Sequence, residues 1–176
     1  MNHSRRQQIS AYGLPITVLI IVPLLIMLLT NDYSLGWNLP PSLNTPIMIL
    51  GLATIFSGLT LLAVTIKMFS RIGKGTLAPW APTQELVVEG LYGRTRSPMI
   101  SGVLIVLFGE VVVLSSLWIF LWFVFFAIGN HFYFIRFEEP GLLDRFGDAY
   151  QSYKDNVPRW LPRRKSWKPD QESEEP

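Results

Sequence analysis

Apolar positions in this chain come as long uncharged blocks, with polar and charged residues confined to the stretches between them. Residues 12–30 carry no charge over 19 positions, and residues 47–66 none over 20. At about 1.5 Å of helical rise per residue, each block can cross a hydrocarbon layer about 30 Å thick. Residues 98–135 form a third block of 38 whose only formally charged member is Glu110. That is too long for one span and sufficient for two, so the pattern predicts a tight helical hairpin turning at residues 114–117. The periodicity then changes. Leu142, Leu143, Phe146, Ala149, Tyr150 and Tyr153 recur at helical spacing between Asp144, Arg145, Asp148 and Lys154, which predicts an amphipathic helix opening at Pro140. The expected fold is therefore an all-α integral membrane protein with about four transmembrane helices and a C-terminal amphipathic cytoplasmic helix. Its parts are two N-terminal spans in 1–70, a core in 71–162 and a disordered polar tail in 163–176.

Charge adds a direction. All 15 Lys and Arg fall on one side of the four-span arrangement, and residues 31–46 contain none. Cytoplasmic loops carry the Lys/Arg excess, so both termini are expected in the cytoplasm, as in a multi-pass protein of a bacterial inner (plasma) membrane. The net charge of +2 is then a topology signal that calls for no nucleic-acid partner. Arg5 and Arg6 before the first block would also suit a secretory signal peptide, but the block is long and no small-x-small cleavage site follows it. With no cysteine there is no thiolate ligand or nucleophile, and no metal site is expected. Gly51 and Gly58 in the second span, and Gly102 and Gly109 in the third, lie seven residues apart, so each pair marks one helix face open to close approach. The aromatic-rich fourth span suits lipid-facing packing, with an aromatic-lined pocket as the alternative.

Several polar residues stand out against this background. Glu110 sits deep in the third span, where a carboxyl must face helices, water or a partner; it either ties helices together or serves a substrate. Asn130 and His131 lie before the end of the fourth span; the imidazole could accept a proton from a substrate or hydrogen-bond another helix. Arg94 and Arg96 precede the third span and Glu138 and Glu139 end the fourth. Interfacial anchoring and a helix dipole would account for each pair separately. A tight hairpin, however, makes those two ends neighbours, gathering opposed charges over a cleft between helices where a polar cofactor could meet a lipid-borne substrate. Arg96 is expected to pair with Glu138, Glu139 or a cofactor carboxylate, and Arg94 to be a plain anchor.

The run GTLAPWAPTQELVVEGLYGRTRSPM, a hairpin, and then EEPGLLDRFGDAYQSYKDNVPRWLP together resemble the isoprenylcysteine carboxyl methyltransferase family, related to the phospholipid N-methyltransferases. The resemblance spans about residues 73–162. It implies an integral membrane enzyme that binds S-adenosylmethionine from the cytoplasm and methylates a lipophilic acceptor reached through the bilayer. Carried over position by position, it implies cofactor contacts at Gln84, Leu86, Val87, Tyr92, Ser97, Pro98, Met99, Ile100 and Glu138. Catalytic candidates are Arg96, Glu139 and His131. Substrate candidates are Glu110, Asn130, Phe134 and Arg136.

Two departures accompany it. The family often has His or Asn before the proline and Tyr two residues after, where this chain has Ser97 and Ile100, which weakens one cofactor contact. The arginine that holds a prenylcysteine carboxylate would fall at Phe134, and Arg136 projects from a different helix face. The resemblance thus implies another lipophilic acceptor, such as a lipid amine, a thiol or a small hydrophobic acid. The alternative function is a catalytically degenerate lipid-binding or assembly protein on the same architecture. The acceptor and the oligomeric state are not written in the sequence.

Overall fold

The computed structural model describes residues 13–72 and 86–168, and all regular structure among them is helical. Helix α1 (Gly13–Thr30) contains a π turn at Thr17–Ile21. Helix α2 (Pro41–Ile72) follows, then α3 (Pro98–Leu114), α4 (Leu117–Phe146) and the short α5 (Asp148–Asn156). Helices α1, α2 and α4 are long and apolar enough to cross a membrane. The third expected span, α3, is shorter, with 17 residues, about 25 Å of helix.

The glycine faces read from the sequence meet each other. A Cβ on Gly58 would lie 2.8 Å from the backbone nitrogen of Val106 and 2.9 Å from the carbonyl of Gly102. One on Gly109 would lie 2.9 Å from the carbonyl of Gly51. Antiparallel α2 and α3 therefore touch backbone to backbone along two turns, a contact that no side chain could share. Leu19, Leu62, Ile66, Val103, Val106 and Leu107 form the core around this seam, with Trp122 and Phe126 of α4 packed on it.

The hairpin turn falls where expected. Ser115 takes a left-handed conformation (φ 48°) and Ser116 an extended one before α4 begins. The loop after α1 closes over this turn. Gly36 N donates to Val113 O (2.9 Å), Trp37 Nε1 to Val112 O (2.9 Å), and Ser116 Oγ to Asp32 Oδ2 (2.6 Å). The last carbonyls of α3, orphaned by the end of the helix, are satisfied in this way.

At the opposite end two expectations change. The amphipathic segment does not open at Pro140 but continues α4 through a π turn at Phe134–Glu138 into Glu139–Phe146. Pro140 is tolerated because it stands in the first turn after the change of bonding pattern, where its missing N–H costs least. The break comes at Gly147, whose φ of +54° favours glycine. Of residues 163–168, expected as the start of the polar tail, Arg163 and Trp167 are held against the loop, while Arg164, Lys165 and Lys168 stay exposed. Arg163 N donates to Arg94 O and Trp167 N to Gly93 O (2.9 Å each), and Trp167 is buried with Tyr150, Tyr153 and Val157. A buried indole offsets the ordering cost of a strap that otherwise looks like tail. The α2 helix also runs across the expected 70/71 division, and α1 contributes to the site described next.

Candidate functional site

Three pieces of chain, far apart in sequence, converge at the cation-rich end of the bundle. The loop 86–97 leads into α3; Gly90 (φ +59°) turns it, and Gly93 lets the strap lie against it, since a Cβ there would meet the carbonyls of Trp167 and Val88 at 2.9 Å. The π turn of α4 is the second piece. From this segment Phe134, Phe137, Glu138, Gly141 and Arg145 line one cavity at helical spacing, Phe137 and Arg145 at its exposed rim. The strap 157–167 is the third.

One carboxylate joins them. Glu139 Oε1 accepts from Arg96 Nη1 at 2.6 Å and also from Arg159 Nη2, while Lys154 Nζ lies 3.3 Å from Oε2. The side chains of Arg96, Glu139 and Arg159 are only 14%, 10% and 11% exposed, so this is a buried network and not a surface pair. Arg96 is bound further by Nε to Val157 O (2.8 Å), and its backbone N donates to Pro158 O (3.0 Å). The arginine thus fills its fork on the protein itself. Arg94, by contrast, is exposed.

Beneath this network lies a cavity of about 610 Å³, within the usual range for small-molecule sites. Its polar wall is made by Tyr92, Arg96, Glu138, Glu139, Arg145 and Arg159. Its apolar wall is made by Leu14, Pro15 and Val18 of α1 with Phe126, Tyr133 and Phe134 of α4. Tyr153 Oη donates to Tyr92 O at 2.7 Å, fixing the loop on α5. Burial, reinforced by the nearby Glu138 carboxylate, pushes the Tyr92 phenol far above its usual range, and burial does the same to Tyr153. Both are therefore neutral hydrogen-bond donors across the physiological range. Ser97 starts α3 without a side-chain cap, and the next residues, Pro98, Met99 and Ile100, line the cavity with the helix N-terminus at their backs.

Most sequence candidates gather here. Leu86, Val87, Tyr92, Ser97, Pro98, Met99, Ile100 and Glu138 line the cavity, as do Arg96, Glu139, Asn130 and Phe134. Gln84 lies outside the described residues. Three candidates are not brought in. His131 faces out of the cavity and accepts from Trp160 Nε1 at 3.3 Å, because the helical step from Asn130 turns it about 100° away. Arg136 is exposed, two positions from Phe134 on the outer face. Glu110 lies against a different groove. Two contributors carry no signal in the sequence: Arg159, whose guanidinium carbon stands 5.9 Å from the centre of the Phe134 ring, and the α1 wall. Arg159 reads as one more cation in a basic run, although the tryptophans beside it, Trp160 and Trp167, are unusual in a solvated tail.

Comparison with known families matches residues 46–149 to the phospholipid methyltransferase family. The match covers more than half of the chain, which therefore belongs to this family of membrane methyltransferases, in agreement with the resemblance carried by the loop and the α4 end. No curated protein matches the chain.

Proposed function

We propose that the protein transfers a methyl group from S-adenosylmethionine to a lipophilic acceptor, inside the cavity between α1, α3, α4 and the strap. The observation that carries this reading is the two-sided wall of the cavity. A single space joins a charged, hydrogen-bonding rim to an apolar face of α1 and α4, as is needed to bring a polar donor and a membrane-dissolved acceptor together.

The residues present fit the donor. Glu138 and the rings of Tyr92, Tyr133, Phe134 and Phe137 are suited to a sulfonium-bearing cation, and the uncapped first turn of α3 at Met99 and Ile100 is suited to a carboxylate. When bound, S-adenosylmethionine supplies an electrophilic methyl group for in-line displacement. The chain's own work is positioning and exclusion of water. Glu139 holds Arg96 and Arg159 so that the loop, α4 and the strap keep one spacing. Asn130 spends its Nδ2 on Phe126 O (2.9 Å), leaving its Oδ1 as an acceptor on the apolar side for a proton-bearing group of the methyl acceptor. Leu14, Val18 and Phe126 present a dry wall toward the bilayer.

The same reading places four spans in the membrane, with the cation-rich end and both termini in the cytoplasm. Direct titration in detergent tests the core of it. The protein should bind S-adenosylmethionine, Glu138→Gln should weaken binding about tenfold, and labelled methyl should appear in the lipid extract of membranes containing the protein. Absence of binding would leave the architecture as a lipid-binding or assembly module instead.

A further inference from the structure

A second groove runs between α1, α2 and α3, separated from the first cavity by α1, with Pro15 lining both. It has a volume of about 340 Å³, and its walls are aliphatic: Ile16 and Leu19 of α1, Leu59, Leu62 and Ile66 of α2. Its one charged wall residue is Glu110. Glu110 belongs to the end of the groove near Ile55, since its neighbour Gly109 packs against that residue. Among the described residues, Glu110 Oε2 is shut off from solvent without a hydrogen-bond partner. A carboxyl oxygen in that state is costly to bury, and nothing in the first cavity uses it.

We propose that this groove is a binding site for a single-chain aliphatic amine, its nitrogen seated on Glu110 and its chain lying along Leu59, Leu62 and Ile66. The choice of an amine rests on two observations. First, an amine satisfies the carboxyl whichever partner holds the shared proton, as a carboxylate accepting from an ammonium or as an acid donating to a neutral nitrogen. An alcohol gains a charge-assisted bond only from the ionised carboxyl, and a fatty acid pairs only when one of the two carboxyls is protonated. Second, Glu110 is twelve residues beyond Pro98 but four before Leu114, hence about 6 Å from the far end of α3. At that end residues 31–46, the loop and the first turn of α2, contain no Lys or Arg, and their single charge is Asp32. A cation approaching from that side meets only negative charge before it reaches the groove. The site is independent of the methyl-transfer reading.

The test uses the full chain in lipid nanodiscs and dodecylamine carrying a photoactivatable group on its chain. Labelling should be saturable, should fall on α2 between Ile55 and Ile66 and on Leu19 of α1, and should be competed by dodecylamine but not by dodecanol or dodecanoate. Glu110→Gln keeps the shape and an acceptor but removes the charge, and should weaken competition at least tenfold while a cooperative thermal melt serves as the folding control. Equal competition by dodecanol, or undiminished competition in Glu110→Gln, overturns the proposal. Should Glu110→Gln fail to fold, Leu59→Trp, which fills the groove, must abolish labelling, and labelling that persists there also overturns it.

Discussion

The two ends of the helical bundle are closed by different chemistry. At the end without cations, a short loop lies on the α3–α4 turn and spends neutral donors on helix carbonyls: Gly36 N on Val113 O and Trp37 Nε1 on Val112 O. Partners there come from two connections 75 to 84 residues apart in sequence. At the other end, Arg96, Glu139 and Arg159 come from three segments, bind one another in a low-exposure network, and stand over about 610 Å³ of open space. Neutral capping closes a helix end at small cost, even between connections distant in sequence. A charged network ties three segments to one carboxylate and is costly to leave incomplete, and here it stands over a space that is kept open.

Removing the hub should separate the ends most sharply. Glu139→Gln leaves two guanidiniums, each less than 15% exposed, without their anion, and should cost about 3 kcal/mol together with most S-adenosylmethionine affinity. Thermal melting in detergent and ligand titration read both effects; a melting temperature within a degree of the parent would make the network ornamental. Next is the seam between the ends. Gly58→Val forces atoms into the backbone of Val106 and Gly102 and should cost about 1–3 kcal/mol, measured by the same melt. If Gly58→Val is tolerated, the backbone contact of α2 with α3 does not hold the two ends in register.

Arg96→Lys keeps the charge but loses the Nε donor to Val157 O, so it should cost about 1 kcal/mol and weaken ligand binding, whereas exposed Arg94→Lys should change neither. Equal tolerance would assign both arginines to topology alone. The smallest effect lies at the neutral end. Hydrogen bonds from Ser116 and Ser34 hold the Asp32 carboxyl below its usual range. With a depressed folded-state value, their contribution is complete above the ordinary carboxylate pKa and is lost as pH falls through the folded one. Ser116→Ala should therefore lower the melting temperature slightly at neutral pH and not at all in acid. A difference that persists in acid would mean that the hydroxyl acts through something other than the Asp32 charge.

This contrast also explains what could be read in advance. The apolar helices, the hairpin turn at Ser115 and the glycine seam were legible because hydrocarbon and close packing impose them on composition and spacing. The pairing of Arg96 with one of two adjacent glutamates followed from charge and topology. The strap was not legible, because Arg163 to Arg94 and Trp167 to Gly93 are backbone bonds, which any residue can make. Nor was the single helix from Leu117 to Phe146, since Pro140 looks like a start and a π turn leaves no compositional mark. The α1 wall is apolar in a helix that is apolar all round, so periodicity gave no face to choose.

The strap has a consequence for the order in which the molecule is built. A chain is made from its N-terminus, and earlier segments fold before later ones exist. The apolar helices can be in the bilayer while Arg159 and Trp167 are still to be synthesised, and until those residues arrive Glu139 lacks one of its guanidiniums and the loop at Gly93 lacks its bond from Trp167. Insertion and competence are therefore successive events in the life of each copy. The lipid-facing body is finished first, and a nascent or prematurely terminated chain can occupy the membrane as a complete-looking bundle whose chemistry has not been switched on.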